Sequence, residues 1–483
     1  MFVALVVEIQ LPRRYTKVHE GRQSRCDNAA VPHMAVSSRS AVFRRSFRRE
    51  FPVAVRGEGV YVWDADGNKY MDLAGSAAVN LIGHGVPEIS AAMAEQAGKL
   101  EFVHTSQFTT PVAEEYAEEL LAFAGKHFEG GAVYFTCGGS ESIETALKLA
   151  RQYQVEIGQR RRYQVLSRNQ SYHGSTLGAL SVSGNKRRRE MYLPMVREFP
   201  HIGMPYCYRC AFDCTDGCRN CGHLYAAELE QTIEASNGEI AAFLFEPLSG
   251  ATLGAAVPPP GYLQSVAEIC RQSGVLLIAD EVMTGMGRTG RNFAVDHWDI
   301  ARDILVTAKG LSSGYAPLGA VIASKKVVDA IANGSGAFLH GFTYNAHPIS
   351  LAAGRAVLGH LRRKRLVEAA DSGRPGTPAA KFKEGLEILC NESSVGDVRG
   401  LGLLWAVEFV ADKTTKRPFP PGLGFSGKVG AAALRRGLLV YPMQGCVDGT
   451  AGDHILLAPP AVITEEQIHW ATAQLSVAIR EAQ

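Results

Sequence analysis

Three short stretches carry groups that could act on one small molecule. Cys137-Gly138-Gly139-Ser140 joins an expected strand, Val133 to Thr136, to a helical pattern containing Glu144 and Leu147. Glycines let backbone N–H groups approach an anion, and the start of a helix supplies the positive end of its dipole, so this turn suits a phosphate. Taken alone it fits an ordinary helix cap equally well. Asp280-Glu281 ends the apolar run Val275 to Ala279. A carboxylate there sits at the carboxyl edge of a buried strand, where open α/β sheets place ligands, and it needs a cationic partner. Ala308-Lys309-Gly310 follows the run Ile304 to Thr307 and brings a lysine to the same edge. A lone lysine in such a place is ordinarily solvated.

The elements that must position these groups are legible in the hydrophobic pattern. Val133 to Thr136, Tyr163 to Leu166, Ile240 to Leu248, Val275 to Asp280, Ile304 to Thr307 and Leu318 to Ala323 read as strands, with Ser140 to Arg151 and Gly261 to Gln272 as helices between them. That alternation predicts an α/β fold with a mostly parallel sheet covered by helices on both faces. The flanks differ. Val60 to Trp63 and Lys69 to Asp72 bracket an Asp-Gly turn and predict a hairpin. Leu403 to Val410 and Ile455 to Leu457 predict strands, and Thr464 with Gln467 predicts a capped final helix. A smaller α+β domain built from both chain ends follows, with 46–80 and 347–483 flanking a large domain over 81–346, and 1–45 as a variable N-terminal extension. Asp371 to Pro378 predicts a loop. Two Gly-x-Gly-x-x-Gly matches fail as dinucleotide fingerprints: Gly422, Gly424 and Gly427 follow a proline-rich segment rather than a strand, and no helix begins at Gly285, Gly287 and Gly290.

The whole chain has 483 residues, 46% of them hydrophobic and 20% charged, with a formal net charge of +2. That balance fits a compact protein and gives no argument for nucleic acid or a membrane surface as partner; the basic run Lys186 to Arg189 is read as a solvated face. No apolar run approaches the ~20 residues needed to cross a bilayer. The arginine- and serine-rich stretch through Arg49 also fits a mitochondrial presequence, but a cytoplasmic location is preferred, because a loosely structured start before Met34 would look the same.

A phosphate site, a carboxylate for a protonated ring nitrogen and a lysine for an aldehyde are together the handles that pyridoxal 5′-phosphate (PLP) offers. The motifs, in order, resemble the class III aminotransferases of the fold-type I PLP enzymes. The resemblance rests on Gly139-Ser140-Glu141 with Ala146 to Arg151, Tyr172-His173-Gly174, Glu246-Pro247, Asp280-Glu281-Val282 with Thr284 to Gly290, Ala308 to Leu311, and His340 to Tyr344. It implies that Gly139 and Ser140 bind the phosphate, that Tyr172, with His173 beside it, and Val282 pack around the pyridine ring, and that Asp280 holds the ring nitrogen protonated. Lys309 would bond the aldehyde as a Schiff base and then shuttle a proton, which requires its pKa to fall well below the usual ~10.4. Thr343 would reach the phosphate of a neighbouring subunit, implying a homodimer with shared sites. Glu246 would touch substrate or a mobile arginine; an ordinary structural ion pair is the equal alternative.

The implied activity is transfer of an amino group from an amine or ω-amino acid to a keto acid such as pyruvate. Racemisation, an amino shift, decarboxylation and elimination on the same cofactor are the alternatives. A noncatalytic binding protein would be expected to lose the lysine or the aspartate. Three departures from the family pattern, Ser142-Ile143, Met286 and Phe342, remove no chemical group from this core. Relatives acting on amino acids often carry an arginine shortly before a Pro-Pro pair; here Asp448 to Pro460 has none, and Arg435 and Arg436 lie earlier, which favours a donor without a carboxylate near its amine. Cys207, Cys210, Cys218 and Cys221 form two Cys-x-x-Cys pairs around Cys214 and could hold zinc. Their spacing is short for a zinc ribbon, and Tyr206 to Cys210 resembles a segment of metal-free relatives, so no metal is assigned.

Overall fold

Short β-branched and aromatic runs become strands, in chain order β1 Ala54–Glu58, β2 Tyr61–Asp64, β3 Lys69–Asp72, β4 Ala132–Thr136, β5 Gln164–Arg168, β6 His201–Ile202, β7 Ile240–Phe245, β8 Leu276–Asp280, β9 Ile304–Thr307, β10 Gly319–Ala323, β11 Val395–Leu401, β12 Leu404–Phe409, β13 Leu438–Leu439, β14 Tyr441–Gln444 and β15 Asp453–Leu457. The computed structural model describes residues 40–212, 214 and 218–483. Most of the expected N-terminal extension, with its presequence-like segment, therefore lies outside the described residues. Residues 1–52 and 53–483 divide into two units. In the first, residues 40–52 carry no helix or strand.

Within the second unit, β4-β10-β9-β8-β7-β5-β6 make a seven-stranded sheet. The β5–β9 neighbours pair in parallel, and β10 runs antiparallel between β9 and β4. Successive side chains of the central strands enter two separate cores. Phe243, Phe245, Leu277 and Leu305 go to one side, and Ala242, Leu244, Ile278 and Val306 to the other. This is why the strands read as unbroken apolar runs: both faces are covered. The expected strand Ile240 to Leu248 stops at Phe245, because Glu246 turns out of the sheet and Pro247 has no N–H to pair.

The smaller sheets explain the flanks. The predicted hairpin is β2–β3, with Tyr61 opposite Met71, and Asp64 Oδ1 accepts the N–H groups of Asp66 and Asn68 to close its turn. The two predicted C-terminal strands are antiparallel neighbours, β12 and β15, with Val407 opposite Ile455. The Thr464–Gln467 capping box forms as expected and starts the Glu465–Glu481 helix. β11 carries Gly396, Asp397, Arg399 and Gly400, which hid it from a hydrophobic reading. No helix among the described residues is long and apolar enough to cross a membrane.

Gly287 and Gly290 sit in turns at φ +94° and +85°, and a Cβ on Gly290 would come within 2.5 Å of Asp371 Cα. Those glycines serve close packing of the turn rather than a nucleotide. Between them, the buried Arg288 guanidinium donates to the carbonyls of Asn80, Ala458 and Pro459, joining the edge of the large sheet to the ends of the flanking segments. Burial lowers its pKa to about 10. Arg288→Met should leave three buried carbonyls unpaired and cost about 3 kcal/mol or more at ~1–3 kcal/mol each. The readout is a lower urea midpoint that Arg288→Lys does not restore; an unchanged midpoint would show that the carbonyls find other donors.

Candidate active site

The carboxyl ends of β8 and β9 open on a cavity of about 440 Å³. Gly139, Ser140, Tyr172, His173, Glu246, Asp280, Val282 and Lys309 all line it. They come from the start of one helix, the loop after β5, and the carboxyl ends of β7, β8 and β9.

Lys309 follows β9 and starts a single 3-10 turn. Its φ is +46°, in the left-handed region that a lysine rarely adopts. The β8–β9 register, with Asp280 opposite Val306, brings the carboxylate and the lysine to one sheet edge. Burial disfavours the charged amine, the nearby Asp280 and Glu246 carboxylates oppose that, and the net result lowers Lys309 to about 8.

Asp280 is fixed through both oxygens. Oδ2 lies 2.7 Å from Nδ1 of the buried His173, and Oδ1 accepts the Val282 N–H at 3.1 Å. The adjacent Glu281 turns the other way, because side chains alternate along an extended chain. It bonds the Thr284 hydroxyl and, at 2.8 Å, the Val295 N–H, and burial raises it to about 7. Only Asp280 of this acidic pair faces the cavity.

The Gly139–Glu156 helix begins at the cavity wall with no side chain capping it, so its first N–H groups are left without intrahelical partners. Ser140 Oγ accepts the Ser175 N–H at 3.0 Å. A Cβ on Gly139 would stand 3.1 Å from Val282 Cγ1 and 3.7 Å from Ala308 Cβ; the glycine is what lets the helix start approach the lysine-bearing strand end. Glu246 is buried, with Oε1 accepting the Gly250 N–H and Oε2 without a partner. Burial raises its pKa against the opposing charges of His173 and Arg168. Among the described residues no salt bridge within 4.0 Å engages it, although His173 and Arg168 lie close enough to act on its charge. Thr343 is exposed and does not line this cavity.

Arg188 was missed. It sits in the basic run that reads as solvated, yet its guanidinium lies 4.3 Å from the centre of the Tyr172 ring and its charge helps to lower Lys309. Nothing in its local pattern separates it from its neighbours Arg187 and Arg189. An uncapped helix start, a fixed carboxylate and a lysine of lowered proton affinity in one cavity fit the phosphate, ring nitrogen and aldehyde of PLP in kind and number.

The aminotransferase class-III family profile matches residues 44–479. The chain is 39% identical over 422 residues to the aminotransferase YodT of Bacillus subtilis (strain 168), covering 86% of this chain and 92% of that one. It is similar, at 34% identity over 422 residues, to the mitochondrial gamma-aminobutyrate transaminase 1 of Oryza sativa subsp. indica, covering 86% and 78%. Among solved structures, a PLP-bound amine transaminase from an uncultivated Pseudomonas species superposes with a TM-score of 0.83 at 34% identity, covering 95% of this chain and all of that one. A thermostable (S)-enantioselective omega-transaminase from Thermomicrobium roseum gives 0.82 at 37% identity, covering 90% and 94%. The large α/β domain with its smaller α+β companion, the cavity and these matches agree: the chain belongs to the class III aminotransferases, fold-type I enzymes that use PLP to move an amino group from an amine or amino acid to a keto acceptor.

Proposed function

We propose that Lys309 carries the cofactor, and the observation that bears most weight is its convergence with the His173–Asp280 pair and the uncapped helix start in one cavity. Gly139 and Ser140 hold the phosphate; Tyr172 and Val282 flank the ring; Asp280, oriented by His173, pairs with the ring nitrogen. PLP, when bound, supplies the aldehyde that accepts the amino group and an electron sink for the pair left when the substrate carbon loses its proton. Lys309 Nζ takes that proton and returns it, a task suited to an amine whose pKa lies near 8. Glu246, which lines the cavity with a buried Oε2 that has no partner, is assigned to the substrate.

The same reading covers substrate. Every α-keto acid brings a carboxylate beside its reacting carbon, so the acceptor needs a cation. Between Asp448 and Pro460 the only basic side chain is His454, which burial lowers to about 4; it bonds the Ala251 carbonyl and stays neutral. Arg188, which lies over the Tyr172 ring just outside the cavity lining, grips the acceptor carboxylate while the donor is an amine or ω-amino acid. Thr343, exposed beside the exposed Tyr344 and near Leu339, completes the phosphate site of a second copy in a homodimer.

Three measurements test this. The rate at which apoprotein captures PLP should rise with pH through about 8 and then level, because the neutral amine is the nucleophile; a rise continuing towards the ordinary lysine range, or capture by Lys309→Ala as a borohydride-reducible adduct, would assign the link elsewhere. With pyruvate as acceptor, ω-amines should outpace α-amino dicarboxylates, and Arg188→Gln should raise the pyruvate KM roughly tenfold or more while sparing the half-reaction with a simple amine. Equal loss in both half-reactions would remove Arg188 from acceptor binding. Finally, Lys309→Ala and Thr343→Ala chains, each impaired alone, should regain activity when unfolded together and refolded as mixed dimers, since one site then has both residues intact; no recovery would mean that each chain completes its own site.

A further inference from the structure

Five of the ten cysteines fall within residues 207–221, in a segment the aminotransferase chemistry does not use. The fold does not join them as the two expected Cys-x-x-Cys pairs. It brings the sulfurs of Cys210, Cys214, Cys218 and Cys221 within 4.8 Å of one another, while Cys207 touches Cys218 without joining the four. Four thiolates about a tetrahedral ion at Zn–S ~2.3 Å stand about 3.8 Å apart, and Cys210 and Cys214 are already at 3.5 Å. All four are free thiols; Cys218 and Cys221 are buried, while Cys210 and Cys214 lie partly open to solvent.

Cys218 and Cys221 belong to the hydrophobic core and Cys210 and Cys214 pack against it, yet polar donors also face the sulfurs. The Tyr225 hydroxyl points at Cys210 Sγ, 3.4 Å away, and is itself oriented by the Ala211 N–H at 2.9 Å. The Phe212 N–H also faces that sulfur. Such donors stabilise negative sulfur and are the outer partners that metal sites require. Cys221 also leads into the Gly222–Ala235 helix, so an ion there would pin a loop to a rigid element. We propose that Cys210, Cys214, Cys218 and Cys221 bind one structural zinc ion.

Binding exchanges four thiol protons, released to solvent, for one Zn2+ and leaves the metal oxidation state unchanged. The ion closes the loop whose start docks on β12 through Tyr206 and Arg209, both bonded to the buried Glu408. It fixes that docking surface rather than taking part in catalysis.

The full chain, produced with zinc in the medium and purified under reducing conditions, should carry about one zinc per chain by elemental analysis. Cys214→Ser and Cys221→Ser should fall to roughly a tenth of that or less, and Cys207→Ser should keep it. If the serine variants fail to fold, the wild-type protein still decides: its four thiols should resist alkylation and react as a mercurial releases the zinc. Wild-type protein without zinc, iron in its place, disulfides among the four cysteines, or zinc lost from Cys207→Ser but kept by Cys210→Ser would each overturn the assignment.

Discussion

Parallel pairing of β8 with β9, in the register that sets Asp280 opposite Val306, is the constraint on which the active site rests. Parallel strands end together, so a carboxylate that finishes one and a lysine just beyond the other arrive at the same edge although 29 positions separate them in the chain. A one-residue slip would turn Asp280 into the core and Glu281 toward the cavity. The two cores prevent that slip. Phe243, Phe245, Leu277 and Leu305 fill one side, Leu244, Ile278 and Val306 the other, and a shift would exchange large residues for small ones on both faces.

Electrostatics in the cavity is a balance struck by burial. Lys309 is partly buried, and desolvation pushes its amine towards neutrality, while Asp280 and Glu246 pull the other way. The outcome near 8 leaves a base that can both take and give back a proton at ordinary pH. His173 prevents Asp280 from turning fully to the lysine: with Oδ2 on the imidazole and Oδ1 on the Val282 N–H, the carboxylate is held in one orientation. The left-handed backbone of Lys309 adds a geometric fix, since the strained turn is held by packed strands on its N-terminal side and buried Gly310 and Leu311 on the other.

The loop after β7, which carries Glu246, leans on the β11-β12-β15-β14 sheet. Arg399 of β11 bonds the carbonyls of Leu253 and Gly254 and the carboxylate of Glu408. Burial would raise Glu408, but Arg399 and Arg209 hold its pKa below the usual carboxylate range. Tyr206 and Arg209 bring the cysteine-bearing loop to the same carboxylate. The loop after β7 that carries Glu246, strands β11 and β12 and the cysteine loop are therefore tied through one buried ion network, in which removal of a single member leaves charge unpaired.

Hydrophobic periodicity was enough to read the large sheet, the hairpin, the paired β12 and β15 segments and the final capped helix, because those elements are stabilised by local pattern and by burial on predictable faces. It does not reveal the short or exposed β1, β6, β13 and β14, nor β11, whose charged and glycine residues serve the Arg399 network rather than a core. Lysine, aspartate and glycine-rich turn were legible as chemistry because each ends a strand with an unmistakable pattern. Arg188 and the cysteine foursome were not. Their meaning lies in which atoms become neighbours: Arg187, Arg188 and Arg189 look alike in the chain, and spacing alone favoured Cys207 over Cys214. Local sequence fixes the conformation of a segment, but long-range packing chooses the face it presents, and only the tertiary structure placed Arg188 on Tyr172 and left Cys207 outside the cluster.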